Sequence, residues 1–413
     1  MMHSFHLESF SKSDFLRFAE KISENFKSDI LFSGEGYEGE NKSYLFIMPE
    51  SVFTVNPETT AEEIKKFVFS DERITAGFLS YDYGLDLKKI KSEKPRYMEE
   101  GRFSKYLAYA VHDDGLTIHC SNEQLFERLI FIAEGCFVKD FSHYKSELKA
   151  NLTKKEYMDK VSEVLEKIRD GETYQLNLSI MYEADIDIDP VNLWKNMAER
   201  YPAPFYSYMN TASGAVISSS PERFIKVENG KALTQPIKGT LVFDEYYEGL
   251  EEKLTQSKKE SAELSMIVDL MRNDLSEHCK VGSVEVVKHK DVFKVDKLLQ
   301  MYSCIEGKLE DDKDVIDLLL GCFPGGSITG CPKKRSMEII DNIEPHSRGI
   351  YCGSVFVIED ERNMDSSIAI RTGFYEGSML KFFTGSGIVI NSDPEKEYYE
   401  TIGKAEKFFR IFE

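Results

Sequence analysis

Ser218-Ser219-Ser220-Pro221-Glu222-Arg223-Phe224 opens a run that crosses a polar interval and closes on Gln235-Pro236-Ile237-Lys238-Gly239-Thr240. Glu222 follows a proline and precedes the apolar positions Phe224, Ile225 and Val227, which puts a carboxyl at the mouth of a strand. Lys238 stands between Ile237 and Gly239. A lysine beside a β-branched residue and a glycine that admits close approach can lose its solvent, and a desolvated amine is a nucleophile. Alone, Lys238 reads first as a solvated strand-end charge, because lysine is rarely buried. The groups it meets elsewhere in the chain decide between these readings.

Working outward, composition sets the bounds. With 413 residues, 41% of them hydrophobic, the chain can bury a large core as one large body or as two or three domains. A formal net charge of −20 repels nucleic acid and anionic membrane, so neither is an expected partner. An anionic substrate would need a locally positive pocket. No apolar run approaches the length of a membrane span, and the opening MMHSFHLESF has neither the basic nor the apolar part of a secretory signal, so a cytoplasmic protein is expected. Seven cysteines, at 120, 136, 279, 304, 322, 331 and 352, are odd in number and contain no C-x-x-C pair. Neither a disulfide framework nor a zinc site is indicated.

The first 150 residues read as mixed strand and helix. A helix is expected over Ser13 to Asn25, a strand from Ala76 to near Gly84, and a hairpin from Tyr106–Val111 and Leu116–Cys120 across Asp113-Asp114-Gly115. The charge-rich interval Lys139 to Lys149 reads as a connector. Lys154 to Arg169 carries apolar residues at 157, 161, 164, 165 and 168, an amphipathic helix. In the strand that follows, alternation puts Gln175, Asn177 and Ser179 on one face and apolar residues on the other.

Two E-x-x-E pairs come next: Glu260 and Glu263, then Glu397 and Glu400 with Lys404 one turn further on. The i, i+3 spacing puts each pair on one side of a helix, and Glu260 and Glu263 share their stripe with Ile267 and Leu270. Oxygen ligands without histidine or cysteine suit a hard cation such as Mg²⁺, although either pair alone is ordinary surface patterning. Phe323-Pro324-Gly325-Gly326-Ser327-Ile328-Thr329-Gly330-Cys331-Pro332-Lys333 is not a phosphate-binding loop, because Cys331-Pro332 separates the last glycine from the lysine. It reads as a glycine-rich turn that presents backbone amides and the Thr329 hydroxyl ahead of a helix. Gly385 and Gly387 leave bare amides on a strand, and Arg371 is expected on a strand face where its fork suits a carboxylate.

Together SSSPERF, QPIKGT, MIVDLMRNDL, FPGGSITGCPK, MDSSIAIRT and GSGIVINSDPEKEYYETIGKA resemble the chorismate-utilising enzymes, over about residues 151 to 413, with a looser match at GFLSYDYG. The resemblance implies an α+β body of two packed, mainly antiparallel β-sheets flanked by helices, like anthranilate synthase component I, with the site in a cleft. Residues 1–150 would be the amino-terminal region of that fold and 151–413 the chorismate-binding catalytic region. Within the family the chain is most similar to the branch that replaces the 4-hydroxyl of chorismate by an amino group, on the way to p-aminobenzoate and folate.

By that resemblance, Lys238 attacks ring carbon C2 as the hydroxyl leaves, Glu222 protonates the departing oxygen, and ammonia adds at C4. Glu260, Glu263, Glu397 and Glu400 would surround Mg²⁺. Arg371 and Lys404 would hold a substrate carboxylate, with Thr329, Gly330, Gly385, Ser386, Gly387, Gln175 and Tyr351 lining the pocket. Gln175 stands where hydrating members carry a water-activating lysine, and Gln300 where many relatives have histidine. A glutaminase needs a nucleophilic cysteine in a glycine-flanked turn with a His-x-Glu partner, and none of the seven cysteines has both. Ammonia from a separate glutamine amidotransferase subunit is therefore expected. Anthranilate synthase component I chemistry and a non-catalytic ligand-binding protein are the alternatives.

Overall fold

Strand Gly101–His112 is the seam of the molecule. In this computed structural model, which describes residues 2–34, 36, 42–135, 148–200, 203–295 and 297–409, that strand pairs along its length with Ser43–Val55. Its other edge is divided: Gly101–Lys105 takes Thr75–Leu79 and Ala108–His112 takes Leu116–Cys120. Two antiparallel wings grow from the seam. One runs from Ser43–Val55 through Ser28–Ser33, Phe205–Asn210, Ala215–Ser220, Thr372–Glu376 and Met379–Val389 to Gln175–Asp185. The other runs from Thr75–Leu79 through Ser354–Asp360, Asn363–Ile368, Arg223–Glu228 and Lys231–Gln235 to Leu298–Lys308, which also takes Ile237–Val242. The expected pair of antiparallel sheets is thus found, joined at the seam.

Strand alternation gives each wing two buried faces. Phe46, Phe78, Met209, Val216, Val355 and Phe374 form the core between the wings. The outer face of the first wing packs against helices Lys12–Asn25, Lys154–Arg169 and Pro190–Arg200, with Trp194 fully buried there. The second packs against Lys258–Ser276 and Val315–Cys322. Burying large side chains on both faces, at roughly 1.5–3 kcal/mol each, supplies the drive that holds the layers together. The first 150 residues contribute strands to both wings, so the boundary at 150 runs through shared sheets. Among the described residues no helix is long and apolar enough to cross a membrane.

Several local expectations change. Ala76 to Gly84 is not one strand: Thr75–Leu79 ends where the Ser80 side chain accepts from the Tyr83 amide and starts helix Tyr81–Leu87. A serine cap outweighs the alternation that favoured a longer strand. Most of the connector from Lys139, together with Cys136, lies outside the described residues, while Leu148–Ala150 is a short strand on Gln175–Asp185. The six described cysteines are free.

The chain passes between the wings at two places that matter. Pro221-Glu222 links Ala215–Ser220 to Arg223–Glu228, and Ala369-Ile370-Arg371 links Asn363–Ile368 to Thr372–Glu376. These crossings lie side by side: the Ile368 amide donates to the Glu222 carbonyl at 3.0 Å and the Ser219 amide to the Arg371 carbonyl at 3.1 Å. Arg371 is therefore not on a strand face. It turns the corner with φ +51°, an uncommon conformation for a side-chain-bearing residue.

Candidate active site

The floor of the site is Gly385 and Gly387, paired with Ser179 and Asn177 of the neighbouring strand. A methyl built on Gly387 would stand 2.9 Å from Gln175 Nε2 and 3.6 Å from Lys238 Nζ. One built on Gly385 would stand 2.9 Å from Tyr351 Oη and 3.1 Å from Asn177 Nδ2. Four polar groups from three parts of the chain thus converge on space kept open by two glycines. Gln175 is 2% exposed and its Oε1 has no hydrogen-bond partner. Tyr351 accepts from Asn177 Nδ2 at 3.3 Å and stacks on Phe383, and burial pushes its phenol well above the usual range.

Lys238 enters from strand Ile237–Val242 and is half-buried, with Nζ donating to the Ser327 carbonyl at 3.5 Å. Its charge acts on Glu222, Glu263 and Glu400, which places three carboxyls about one amine. Gly239, at φ +86°, brings Glu260 to the same place: a methyl there would stand 3.3 Å from Glu260 Oε2. Glu222 is 4% exposed, and burial raises its pKa to about 7 against the opposing pull of the Ser327 hydroxyl, Lys238 and the Ile237 amide. It is a carboxyl that can carry a proton near neutral pH.

The glycine-rich turn closes the pocket. Gly326–Ile328 forms a single 3₁₀ turn, and Gly330 pairs with Leu176 on the strand that carries Gln175. A methyl on Gly330 would meet the Gln175 carbonyl at 2.1 Å, so only glycine permits that approach. The Thr329 hydroxyl is spent on the Gly325 carbonyl at 2.9 Å, whereas the buried Ser327 hydroxyl helps hold the charged form of Glu222. Ser327, two residues before the threonine chosen from sequence, is the hydroxyl nearer the acid. Lys333 donates to Asp274 Oδ2 and to the Cys322 carbonyl, both at 2.7 Å, so it caps helix Val315–Cys322 and binds no phosphate. Ser386 also departs from expectation. It lies on the other face of its strand from the two glycines, fully buried and hydrogen-bonded to Tyr157 Oη at 3.0 Å.

Arg371 is half-buried at its crossing, and among the described residues its guanidinium has no ion pair or side-chain hydrogen bond. Lost solvent pulls its pKa below the usual arginine value. Such a cation suits an incoming carboxylate. Lys404 donates to the Gly385 carbonyl at 3.0 Å and to Glu400 at 2.8 Å, so it braces the floor strand.

The four glutamates face one another without forming a tight cluster. Burial works against the Lys259 ammonium, but Glu263, Glu397, Glu400 and Glu260 outweigh it and raise its pKa. Glu397 accepts from Ser392 Oγ at 2.7 Å. Burial disfavours the charged form of Glu400, and Lys404, Lys259 and Lys238 reverse that effect. Glu263 is pushed up by burial, and its Oε1 is buried with no hydrogen bond, 3.9 Å from Lys259 Nζ. Among the described residues no three His, Cys, Asp or Glu side chains are gathered closely enough to hold one ion. In donor type the set fits a hard divalent cation, with Glu263 Oε1 as a buried oxygen that accepts no hydrogen bond.

A separate cavity of about 240 Å³ is lined by residues that include Ser33, Tyr44, Tyr206, Arg223 and Asp365. None of the converging groups borders it.

A two-winged antiparallel body with a buried acid, an amine and a glycine floor at the wing crossing is the frame of a chorismate-binding enzyme. The model of that family, described as chorismate binding enzyme, matches residues 30–410, and the chain belongs to it. Among curated relatives, the aminodeoxychorismate synthase component 1 of Salmonella typhimurium is 40% identical over 267 residues, covering 64% of this chain and 59% of the relative. The anthranilate synthase component 1 of Aquifex aeolicus is 37% identical over 277 residues, covering 66% and 55%. The chain thus spans less than two thirds of the length of either relative. Among solved structures, the anthranilate synthase component I of Streptococcus pneumoniae superposes with a TM-score of 0.76 at 24% identity, covering 98% of this chain and 92% of that one. That likeness bears on the fold.

Proposed function

We propose that this protein converts chorismate and ammonia to 4-amino-4-deoxychorismate, as an aminodeoxychorismate synthase component 1 acting in p-aminobenzoate and folate synthesis. The observation that carries the reading is the placement of Lys238 and a protonatable Glu222 about one pocket, with Lys238 Nζ and Gln175 Nε2 converging over Gly387. The amine of Lys238 bonds to ring carbon C2, both conjugated ring double bonds shift by one position towards C4, and the 4-hydroxyl leaves as water with the proton of Glu222. Ammonia then bonds to C4, both double bonds return, the C2–N bond breaks to release Lys238, and the proton shed by the new amine restores Glu222. Neutral Gln175 can orient a group but cannot deprotonate water, which disfavours hydration of the ring. Arg371 supplies the positive charge that a dicarboxylate needs in a chain of net charge −20.

Mg²⁺ belongs to this reading. Glu263 and Glu400 would hold it, with Glu260 and Glu397 beside them or holding its waters, and when bound it would neutralise the ring carboxylate. A separate glutaminase subunit would supply ammonia from glutamine, and a cytoplasmic setting fits such a pathway.

Mass analysis of the product formed from chorismate, Mg²⁺ and ammonia tests the reading. The expected product retains the enolpyruvyl group and carries nitrogen at C4. Anthranilate, with loss of pyruvate, would instead establish the chemistry named for the second relative.

A further inference from the structure

Beneath the floor lies a buried charge network that the reaction above does not use. Arg348 and Glu344 are each 1% exposed at the side chain and 2.7 Å apart. The pairing is bidentate: Arg348 Nε donates to Glu344 Oε2 at 2.9 Å and Nη2 to Oε1 at 2.7 Å. Two further N–H groups go to backbone carbonyls. Nη2 donates to the Asn177 carbonyl at 2.6 Å and Nη1 to the Ile328 carbonyl at 3.2 Å. The guanidinium lies 4.7 Å from the ring centre of Tyr81 and 5.6 Å from that of Tyr351. Glu344 is fixed in turn by the Ser179 amide and hydroxyl, both at 2.7 Å. His346 Nδ1 accepts from Asn151 at 2.7 Å, and burial lowers the imidazole pKa to about 4, so the ring is neutral and its Nε2 proton points to Ser179 Oγ at 3.1 Å.

We propose that Arg348 is a positioning residue for the chemistry proposed above: it ties strand Gln175–Asp185 to the glycine-rich turn and so fixes Ser327 relative to Glu222, Lys238, Gln175 and Asn177. A buried arginine is costly unless its donors are used, and here two of them go to backbone carbonyls of the two segments that carry the site. Ile328 follows Ser327 directly. A shift of the Ile328 carbonyl therefore moves both the Ser327 carbonyl, which receives Lys238, and the Ser327 hydroxyl, which acts on Glu222. Lysine at 348 would keep the charge but lose the planar fork that reaches Glu344 and two carbonyls at once. Tyr81 ties this role to the amino-terminal region, because it lies in the short helix Tyr81–Leu87.

The test follows the Glu222 titration by NMR of carboxyl-labelled glutamate in the full chain, assigned with Glu222→Gln, alongside turnover of chorismate at constant free NH₃. Lys238 is the charged group facing Glu222 and is unchanged throughout. In Arg348→Lys the Glu222 pKa is expected to rise, as in Ser327→Ala, with no further rise in the double variant. Turnover is expected to fall about 10²-fold in kcat with a smaller change in KM, the scale of a 1 Å misplacement. An unmoved titration, or shifts that add in the double variant, would overturn the inference. If Arg348→Lys does not fold, Tyr81→Leu removes one ring beneath the guanidinium, and the same upward shift is expected. Its absence there would be equally decisive. A wild-type chain that forms no aminated product while the titration still moves would sink the proposed function and leave the positioning role standing.

Discussion

Lys238 Nζ reaches the backbone carbonyl of Ser327 at 3.5 Å, so the amine is held directly against the glycine-rich turn. Neither lies near the other in sequence. The contact exists because the chain crosses into the second wing at Pro221-Glu222 and stays in it through Ile237–Val242.

Glu222 gives a prediction with a definite sign. Its pKa in the folded chain is about 7, above that of an exposed glutamate, so the folded state binds the proton more tightly than the unfolded one. Stability is therefore unaffected below about pH 4.5 and falls as pH rises towards 7, by roughly 3 kcal/mol at most. Glu222→Gln should lower kcat by about 10²–10⁴-fold, yet melt at a higher temperature than wild type at pH 8 and not at pH 4.5. At constant free NH₃, wild-type kcat should decline above about pH 7. A variant less stable at pH 8 by the same margin as at pH 4.5 would contradict the buried acid.

Gly387→Ala tests the floor. The added methyl would stand 2.9 Å from Gln175 Nε2 and 3.6 Å from Lys238 Nζ, within the space assigned to substrate. The backbone there is an ordinary strand, so the fold should hold, while kcat/KM falls by about 10²-fold or more. Steady-state kinetics beside a thermal melt separates the two. Unchanged kinetics would place the substrate elsewhere.

Glu263→Gln addresses the cation. Mg²⁺ at 100 times its Kd should stabilise the wild-type chain by about 2.7 kcal/mol, and the variant should lose both that stabilisation and the calorimetric binding signal. Without the ion, the variant should be at least as stable as wild type at pH 8, because burial raises the pKa of Glu263 and makes its charge costly. Equal Mg²⁺ affinity in both chains would remove Glu263 from the site.

Periodicity carried much of the fold. The apolar spacing of Lys154–Arg169 and the alternation through Gln175, Asn177 and Ser179 both reappear in the structure, because the helix buries one stripe and the strand sends its apolar residues to the helices and its polar ones to the other face. What spacing could not show were corners. Arg371 looked like a strand residue because its neighbours alternate, yet it turns between wings at φ +51°, a property set by tertiary crossing. Ser386 shares a motif with Gly385 and Gly387, and strand alternation alone sends its side chain to Tyr157. Ser327 carried no mark to distinguish it from Thr329. Glu344 and Arg348, spaced i, i+4, drew no notice in the sequence, where such spacing is ordinary for surface ion pairs, yet both are 1% exposed at the side chain.

The most direct test is intact-protein and peptide mass spectrometry of the enzyme quenched during turnover of chorismate, with Lys238→Ala in parallel. The account predicts a covalent adduct equal to chorismate less water, mapped to the peptide that contains Lys238, and neither adduct nor 4-amino-4-deoxychorismate from the variant. Aminated product formed by Lys238→Ala at the wild-type rate, with no adduct on either chain, would contradict it.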